Sequence, residues 1–289
     1  MKAGKEKPRQ VDAAREEVIE MHGSRTAFSL SVVTALKPTT IGKRFVLQEG
    51  RLTKSPGGVM IRGRCECLEL TGLPALAELL PELDARHALM YGLAPVDDVT
   101  LITKRKWNKR GRPDGPYPRT RDAISWPAGP GLWMLDYDPE PGADVLSREE
   151  FLARLIEAEP ALAGAGYAWY PSSSSHIINS DTGEDLTGLR GQRLWFLVND
   201  TQGIPGAGEA LLTRLWAAGH GHIKVSKSGA LLERTLVDGA VWQPERLDFA
   251  GGAACGRGLH QDRGKPVVVE GAVVDLSAFV PADAREVAA

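Results

Sequence analysis

The chain has 289 residues, a net charge of −2, 43% hydrophobic residues and 25% charged residues. These ordinary globular values exclude a mainly disordered or collagen-like chain, and the length allows one large domain or two modest ones. The sequence has no apolar run long enough for a membrane helix, no signal-peptide segment, and only three cysteines, too few for a disulfide framework. We therefore expect a cytoplasmic protein that does not associate with a membrane.

Strand-like and helix-like segments alternate along the chain. The polar segment 1–25 is predicted to be a helix or a mobile tail, and 281–289 a mobile tail. Between them, 26–280 is predicted to form a single α+β domain of mixed β-sheets flanked by helices. Hydrophobic periodicity predicts strands at 28–33, 43–48, 58–70, 131–137 and 193–200, and a strand, a turn and a second strand over 166–179. It predicts helices at 73–92, with a break near Pro81, at 147–165 and at 206–221, a strand or hairpin at 222–241, and a hairpin at 266–276.

The segment 101–121 carries eight Lys or Arg residues and one Asp inside a near-neutral chain. Such a local field attracts phosphates. Because the segment is rich in Gly and Pro, it is predicted to be a loop, either solvated or tracking a nucleic-acid backbone with Trp107 or Tyr117 stacking on bases. The residues expected to contact DNA are Lys104, Arg105, Lys106, Lys109 and Arg110.

Two acids end the apolar segment 131–137, whose composition predicts a central strand. Side chains alternate along a strand, so Asp136 and Asp138 share one face while Tyr137 points away. Two such carboxylates repel each other unless a cation lies between them, and hard oxygen ligands select Mg²⁺ or Mn²⁺. The alternative is a solvent-facing strand end followed by a turn.

Four consecutive serines precede His176 between two strand-like segments. Serine hydroxyls and backbone N–H groups suit phosphate oxygens, and the histidine adds a titratable donor. The alternative is a flexible polar loop.

A third acid can come from either of two positions. Asp200 closes the apolar strand 193–200, although Asp is common in turns. Asp238 follows the strand-like segment 231–237. We favour Asp200 because its strand is the more apolar, and because its end is expected at the same level of the sheet as Asp136 and Asp138.

The order of these motifs resembles the archaeo-eukaryotic primase, or primase-polymerase, superfamily. Asp136 and Asp138 match its Asp-x-Asp, Ser174 and His176 its Ser-x-His, and Asp200 its strand-ending acid. A later stretch is similar to primases of plasmids, phages and integrated elements, with Arg234, Thr235, Asp238 and Pro244 to Leu247 in the matching positions. The resemblance covers roughly 115–265 and leaves the first hundred residues unmatched.

The resemblance implies a primase-polymerase catalytic core with an RRM-like sheet, and DNA-dependent nucleotidyl transfer with two Mg²⁺ or Mn²⁺ ions. Asp136, Asp138 and Asp200 would be the catalytic metal ligands, and Ser174 and His176 would bind the nucleoside triphosphate. The implied partners are nucleoside triphosphates, a single-stranded DNA template and a replicative helicase, in the replication of a mobile element. Further candidates for phosphate contacts, or else a solvated hairpin face, are Lys224, Ser226, Lys227 and Arg234.

Two other functions remain open. An Asp-x-Asp glycosyltransferase would hold a metal on a nucleotide-sugar diphosphate, but it gives the Ser-x-His and the basic segment no role. A replication-initiator DNA-binding module would be a related fold without catalysis, and the three intact acids argue against it.

Overall fold

The computed structural model describes residues 25–140, 142–226 and 228–283. The predicted segment 1–25 lies outside these ranges except for its last residue, as do Lys227 and most of 281–289. The strands are β1 (Ala27–Lys37), β2 (Arg44–Gln48), β3 (Arg51–Ser55), β4 (Arg62–Thr71), β5 (His87–Met90), β6 (Val99–Ile102), β7 (Tyr117–Pro118), β8 (Gly131–Tyr137), β9 (Tyr167–Pro171), β10 (Ile177–Asn179), β11 (Gln192–Val198), β12 (Gly221–Val225), β13 (Leu231–Thr235), β14 (Ala254–Cys255), β15 (Leu259–Gln261) and β16 (Val267–Val269). The helices are α1 (Gly72–Glu82), α2 (Lys104–Lys109), α3 (Arg148–Ala158) and α4 (Ile204–Ala217).

Two sheets dominate the architecture, which confirms the α+β prediction. An N-terminal sheet has the order β5-β1-β4-β6-β7, and a second sheet has the order β16-β9-β11-β8. In the second sheet every neighbouring pair is antiparallel. Three smaller sheets, β14-β2-β3, β10-β15 and β12-β13, surround them.

Strand β8 packs on both faces, which explains its continuous apolar sequence. On one face Trp133 and Leu135 join a core formed with α3 and α4. On the other, Leu132 and Met134 join a core with β1 and α1. Strand β8 nevertheless ends the sheet order, so the prediction of a central strand is wrong.

Local sequence signals place several helix boundaries. Ser147 caps α3 by accepting a hydrogen bond from the backbone N–H of Glu150, whose carboxylate accepts one from the N–H of Ser147 in return. This reciprocal pair satisfies two backbone donors that a helix start leaves free, and it fixes the predicted start of α3.

Three predicted elements differ from the structure. The helix predicted over 73–92 ends at Glu82, and His87–Met90 form β5 beside β1 because the apolar residues there complete the N-terminal sheet. The basic segment contains the short helix α2, begun by a Thr103 cap. The late hairpin is instead β16 followed by isolated parallel bridges of Ala272 and Val274 to the second sheet. No helix in the described ranges combines the length and hydrophobicity needed to cross a membrane.

Candidate active site

The acid pair lies where β8 ends, on the face that looks toward the N-terminal sheet. Asp136 belongs to β8, and its side chain is 23% exposed. Asp138 is the first residue after the strand, and it is exposed. Alternation places both on the side of Leu132 and Met134, as the sequence predicted.

A buried arginine lies directly across the sheet from the first acid. Arg193 of β11 is in register with Asp136, with its Nε 3.8 Å from Asp136 Oδ1 and 2.7 Å from Asp248 Oδ1. Asp248 also accepts a 2.6 Å hydrogen bond from the Tyr91 hydroxyl, which accepts one from Trp195 Nε1. This buried network directs the main ion pair of Arg193 to Asp248 and leaves the Asp136 carboxylate more weakly held.

Opposing charges act on Asp136. Burial raises its pKa, and the charges of Asp248 and Asp138 raise it further, whereas Arg193 and Lys43 lower it. Burial also acts to lower the pKa of Arg193, but Asp248 and Asp136 outweigh that effect and raise it. The acid pair is therefore a site where an added cation would relieve repulsion between carboxylates.

The acid pair offers too few ligands to hold a divalent ion by protein side chains alone. Within the described residues, no three His, Cys, Asp or Glu side chains are grouped closely enough to hold a metal. Mg²⁺ is usually bound through one or two carboxylates together with substrate phosphates and water, rather than by an all-protein cage. Asp136 and Asp138 fit that arrangement.

The serine tract is an ordered, buried turn. Ser172 to Ser175 are each at most 5% exposed, which excludes the flexible-loop alternative. Ser172 Oγ accepts a hydrogen bond from the backbone N–H of Ser174, and Ser175 Oγ accepts one from that of Arg190. The tract thus presents Ser174 from a fixed backbone.

His176 is oriented by an acid that the sequence motifs do not include. Its backbone has φ of 55°, and its Nδ1 lies 2.7 Å from Asp185 Oδ2. Because a carboxylate only accepts, Nδ1 donates and the outer nitrogen, Nε2, faces away from Asp185. Burial raises the pKa of Asp185, but hydrogen bonds from His176 and from the N–H groups of Gly188 and Thr187 outweigh it and lower the pKa.

A lysine from the unmatched N-terminal region reaches the motif residues. Lys43 Nζ donates a 2.6 Å hydrogen bond to Ser174 Oγ. Burial lowers the pKa of Lys43 to about 8, Lys54 and Arg193 lower it further, and Asp138 and Asp136 oppose the shift. A partly buried cation therefore lies between the Ser-x-His motif and the acid pair.

A cavity of about 420 Å³ opens beside these residues, in the size range of small-molecule sites. Its polar wall includes Asp138, Glu140, Ser174 and Thr187, and its basic residues are Lys54 and Arg190. An apolar wall is formed by Phe45, Leu52, Pro139 and Leu186. The combination of a flat apolar surface, hydroxyls and cations suits a nucleotide.

Asp200 does not join this site. Strands β8 and β11 are antiparallel, with Val198 opposite Gly131 and Gln192 opposite Tyr137. The end of β11 therefore lies at the far end of the sheet from the acid pair, about 20 Å away at the usual rise per residue. Asp200 is exposed and accepts a hydrogen bond from the N–H of Gln202. The prediction that it emerges beside Asp136 and Asp138 is wrong.

Asp238, the alternative third acid, has its backbone next to Asp136. Its backbone N–H donates a 3.0 Å hydrogen bond to the carbonyl oxygen of Asp136, so its segment runs along the outer edge of β8. Its side chain accepts a hydrogen bond from the N–H of Ala240. The backbone of Asp238 therefore lies beside the acid pair, but its carboxylate caps Ala240 and forms no group of three acids with Asp136 and Asp138 among the described residues.

The β12–β13 hairpin contributes unevenly to the site. Lys224 Nζ lies 2.6 and 2.8 Å from the two carboxylate oxygens of Glu140, which lines the cavity. Register pairs Arg234 with His222 and Lys224 with Leu232, so Arg234 shares the face of Lys224. Ser226 Oγ accepts a hydrogen bond from the backbone N–H of Ala230 and so closes the hairpin turn. Its hydroxyl is therefore engaged in the turn, whereas the sequence predicted a contact with phosphate.

The basic segment has a defined local structure. Helix α2 carries the predicted DNA contacts Lys104, Arg105, Lys106 and Lys109, and Arg110 ends it. Arg112 lies over the ring of Trp107, at 5.5 Å from its centroid. None of these residues lines the cavity, so they form a separate basic surface.

Several site residues were missed by the sequence motifs, namely Lys43, Lys54, Asp185, Arg190, Arg193 and Asp248. Only the order of elements in space reveals Lys43 and Lys54, because the first hundred residues carry no recognisable motif. Asp248 had a weak signal, since it directly follows the Pro244 to Leu247 stretch. Comparisons with protein-family models, curated proteins and solved structures give no match to this chain.

Proposed function

We propose that this chain is a nucleotidyltransferase, a DNA-dependent primase or primase-polymerase that joins nucleotides on a single-stranded DNA template. One observation carries the proposal: Asp136 and Asp138 leave one strand end beside a nucleotide-sized cavity whose wall includes Ser174, itself hydrogen-bonded to Lys43. Carboxylates, a phosphate-binding turn and a cation thus meet at one place.

In the proposed reaction, the 3′-hydroxyl oxygen of one nucleotide attacks the α-phosphorus of a nucleoside triphosphate. A bond forms between them, the α–β bridging bond breaks, pyrophosphate leaves and the hydroxyl proton passes to solvent. Asp136 and Asp138 would hold Mg²⁺ or Mn²⁺ together with the substrate phosphates, and Asp238 would join them only by leaving its cap on Ala240. When bound, these ions neutralise phosphate charge and stabilise the attacking and leaving oxygens.

The chain's own residues position the nucleotide. Lys43 and the Ser174 hydroxyl would contact the β- and γ-phosphates, and His176, oriented by Asp185, would donate from its outer nitrogen when protonated. Phe45 and Leu52 offer an apolar surface to the base. Phosphoryl transfer depends mainly on such positioning and charge neutralisation.

The arrangement of elements supports the same proposal. Without the inserted small strands, the second sheet follows the chain order β-α-β-β-α-β, from β8 through α3, β9, β11 and α4 to β16. The helices pack on the face away from the acids. This chain order is that of the split β-α-β family, to which an RRM-like sheet belongs. The order in space differs, because β8 lies at the edge and β16 beside β9, whereas an RRM-like sheet has its first strand beside its fourth. The support is therefore limited to the chain order. A role in replicating a mobile element, and a helicase partner, rest on the sequence resemblance alone.

The test is incubation with single-stranded DNA, labelled nucleotides and Mn²⁺ or Mg²⁺, with ribonucleotides and deoxynucleotides in separate reactions. Labelled oligomers that form with the wild-type protein and do not form with Asp138→Asn support the proposal. Turnover of a nucleotide sugar would instead support a glycosyltransferase. DNA binding without either product would indicate a replication-initiator module.

A further inference from the structure

A second cavity, of about 560 Å³, lies on the other side of Lys43 and Lys54 from the nucleotide-sized cavity. We call it the basic groove. Its walls are the loop 56–60 after β3 and the segment 246–249, with Arg119 between them. Lys54 lines both cavities, so the groove leads directly to the candidate active site.

The charge of the basic groove has one sign. Among the residues that the structure describes, its lining includes Lys43, Lys54, Arg119 and Arg246 but no acid. The pKa of Arg119 is lowered, mainly by burial and also by the charge of Arg246, although Glu245 opposes the shift. Arg119 Nη1 is hydrogen-bonded to the backbone carbonyl of Glu245, and the Glu245 carboxylate pairs with Arg121 at 3.4 Å. Cations held together in this way favour a polyanion.

The groove also presents apolar surface to solvent. Val59 is 79% exposed and Phe249 37% exposed. Asp248 and Ala250 are buried, so alternation turns Phe249 outward into the groove. On the opposite wall, a Cβ on Gly57 would collide with the carbonyl of Ile41, which shows that this loop packs closely on its support. The apolar surface is thus presented by well-packed walls.

The basic segment continues the groove. The N–H of Thr103, which caps α2, donates to the carbonyl of Ile61, next to Met60 in the groove wall. Burial lowers the pKa of Lys106, and Arg110, Lys37 and Arg62 lower it further, so the ends of β1 and β4 add cations here. A basic surface therefore runs from α2 through the groove to the acid pair.

We propose that the basic groove binds a single-stranded polynucleotide, with phosphates on Lys54, Arg119 and Arg246 and at least one base packed on Phe249. A cationic groove interleaved with exposed apolar and aromatic surface is the usual way in which proteins hold single strands. The identification of this strand as the template, which would run from α2 toward the nucleotide-sized cavity, rests on the proposed function. The binding of a single strand in the groove does not depend on the proposed function.

The test is fluorescence anisotropy with labelled oligothymidine, oligouridine and duplex DNA of about 20 nucleotides, long enough to span the surface, without nucleotides or metal. Phe249→Ala should weaken single-strand binding about 5- to 30-fold, and Phe249→Leu nearly as much, because leucine keeps the bulk but lacks the ring face. Phe249→Trp should retain the affinity. Lys54→Ala and Arg246→Ala should each lower the log–log salt slope by about 0.7.

Arg154→Ala is the matched control, because Arg154 is exposed on α3, on the opposite face of the second sheet. A thermal melt of each variant verifies the fold, and Phe249→Leu keeps the test valid if Phe249→Ala unfolds. Phe249-dependent binding of either single strand supports the groove. The ratio of the affinities for oligothymidine and oligouridine shows whether the groove prefers DNA or RNA. Unchanged binding in folded Phe249→Leu and Arg246→Ala, or equally tight binding of duplex, overturns it.

The outcome is separable from that of the proposed function. Phe249-dependent binding without any nucleotide incorporation would leave a single-strand site and remove the polymerase. Normal synthesis together with full single-strand affinity in the groove variants would leave the polymerase and remove the single-strand site.

Discussion

The backbone N–H of Asp238 donates a 3.0 Å hydrogen bond to the carbonyl oxygen of Asp136. This bond places the backbone of Asp238 beside the pair at the end of β8, whereas the antiparallel sheet carries Asp200 to the opposite end. The two acids can therefore be compared directly.

If a bound ion recruits the Asp238 carboxylate from its cap on Ala240, Asp238→Asn should reduce nucleotide incorporation at least about 10-fold, whereas Asp200→Asn should leave the rate unchanged. Asp200→Asn keeps a residue that can cap, so stability should change little. Incorporation rates and thermal melts of the two variants measure this. Loss of activity in Asp200→Asn alone would restore the assignment made from sequence.

Asp136→Asn and Asp138→Asn should each abolish measurable synthesis and leave the protein folded. Asp138 is exposed, and Arg193 keeps its closer partner Asp248 when Asp136 is neutralised. Activity is measured beside a thermal melt. Synthesis at the wild-type rate in a folded variant would contradict the metal role. Asp248→Asn is the contrasting change, since it weakens a buried ion pair and should lower stability by about 3 kcal/mol.

His176→Asn should raise the nucleotide KM about tenfold while single-stranded DNA affinity stays unchanged. Asparagine is the suitable replacement because it tolerates the φ of 55° at this position, where alanine would add backbone strain. A nucleotide titration and a DNA titration separate the two effects. A comparable loss of single-stranded DNA affinity, with an unchanged nucleotide KM, would indicate that His176 contacts the template instead.

Lys43→Met should stabilise the protein at pH 7 and weaken nucleotide binding. The pKa of Lys43 falls from 10.5 to about 8 on folding, so the unfolded chain binds more protons and wild-type stability rises between about pH 8 and 10.5. The cost of burying the charge is present in full below pH 8 and absent above 10.5. Denaturant titrations across this range should show the advantage of the variant shrinking as pH rises. An advantage independent of pH would contradict a buried charge.

Neutralising Lys104, Arg105, Lys106, Lys109 and Arg110 together should weaken single-stranded DNA binding and flatten its salt dependence. Each phosphate contact removed should lower the log–log slope by about 0.7. Affinities measured over a range of salt concentrations test this. An unchanged slope would mean that α2 is only solvated and that the strand takes another route.

The sequence predicted the elements that local patterns determine. The capping box at Ser147 and the alternation that puts Asp136 and Asp138 on one face are both present, because each depends on neighbouring residues alone. The error at Asp200 has a different origin. A strand-ending acid reveals nothing about whether the next strand runs parallel or antiparallel, and that direction decides which end of the sheet it reaches.

The serine tract shows the same limit, because its local sequence does not reveal whether it is buried. Four serines in a row suggested either a phosphate-binding turn or a flexible loop, and only the burial seen in the structure excludes the flexible loop. Lys43 and Asp185 could not be found at all from local pattern. Each reaches the site through a tertiary contact, to Ser174 and to His176 respectively.

The hydrogen bond from Lys43 to Ser174 spans 131 residues of sequence and bears on how the protein can be divided. The recognisable motifs begin near residue 115, and that point invites a cut. A fragment starting there would lose Lys43, Phe45 and Lys54, and would uncover the core that β8 shares with β1. Such a fragment would keep every motif acid yet lack one wall of the nucleotide-sized cavity. The shortest functional unit is therefore set by the packing of the two large sheets and extends well upstream of the motifs.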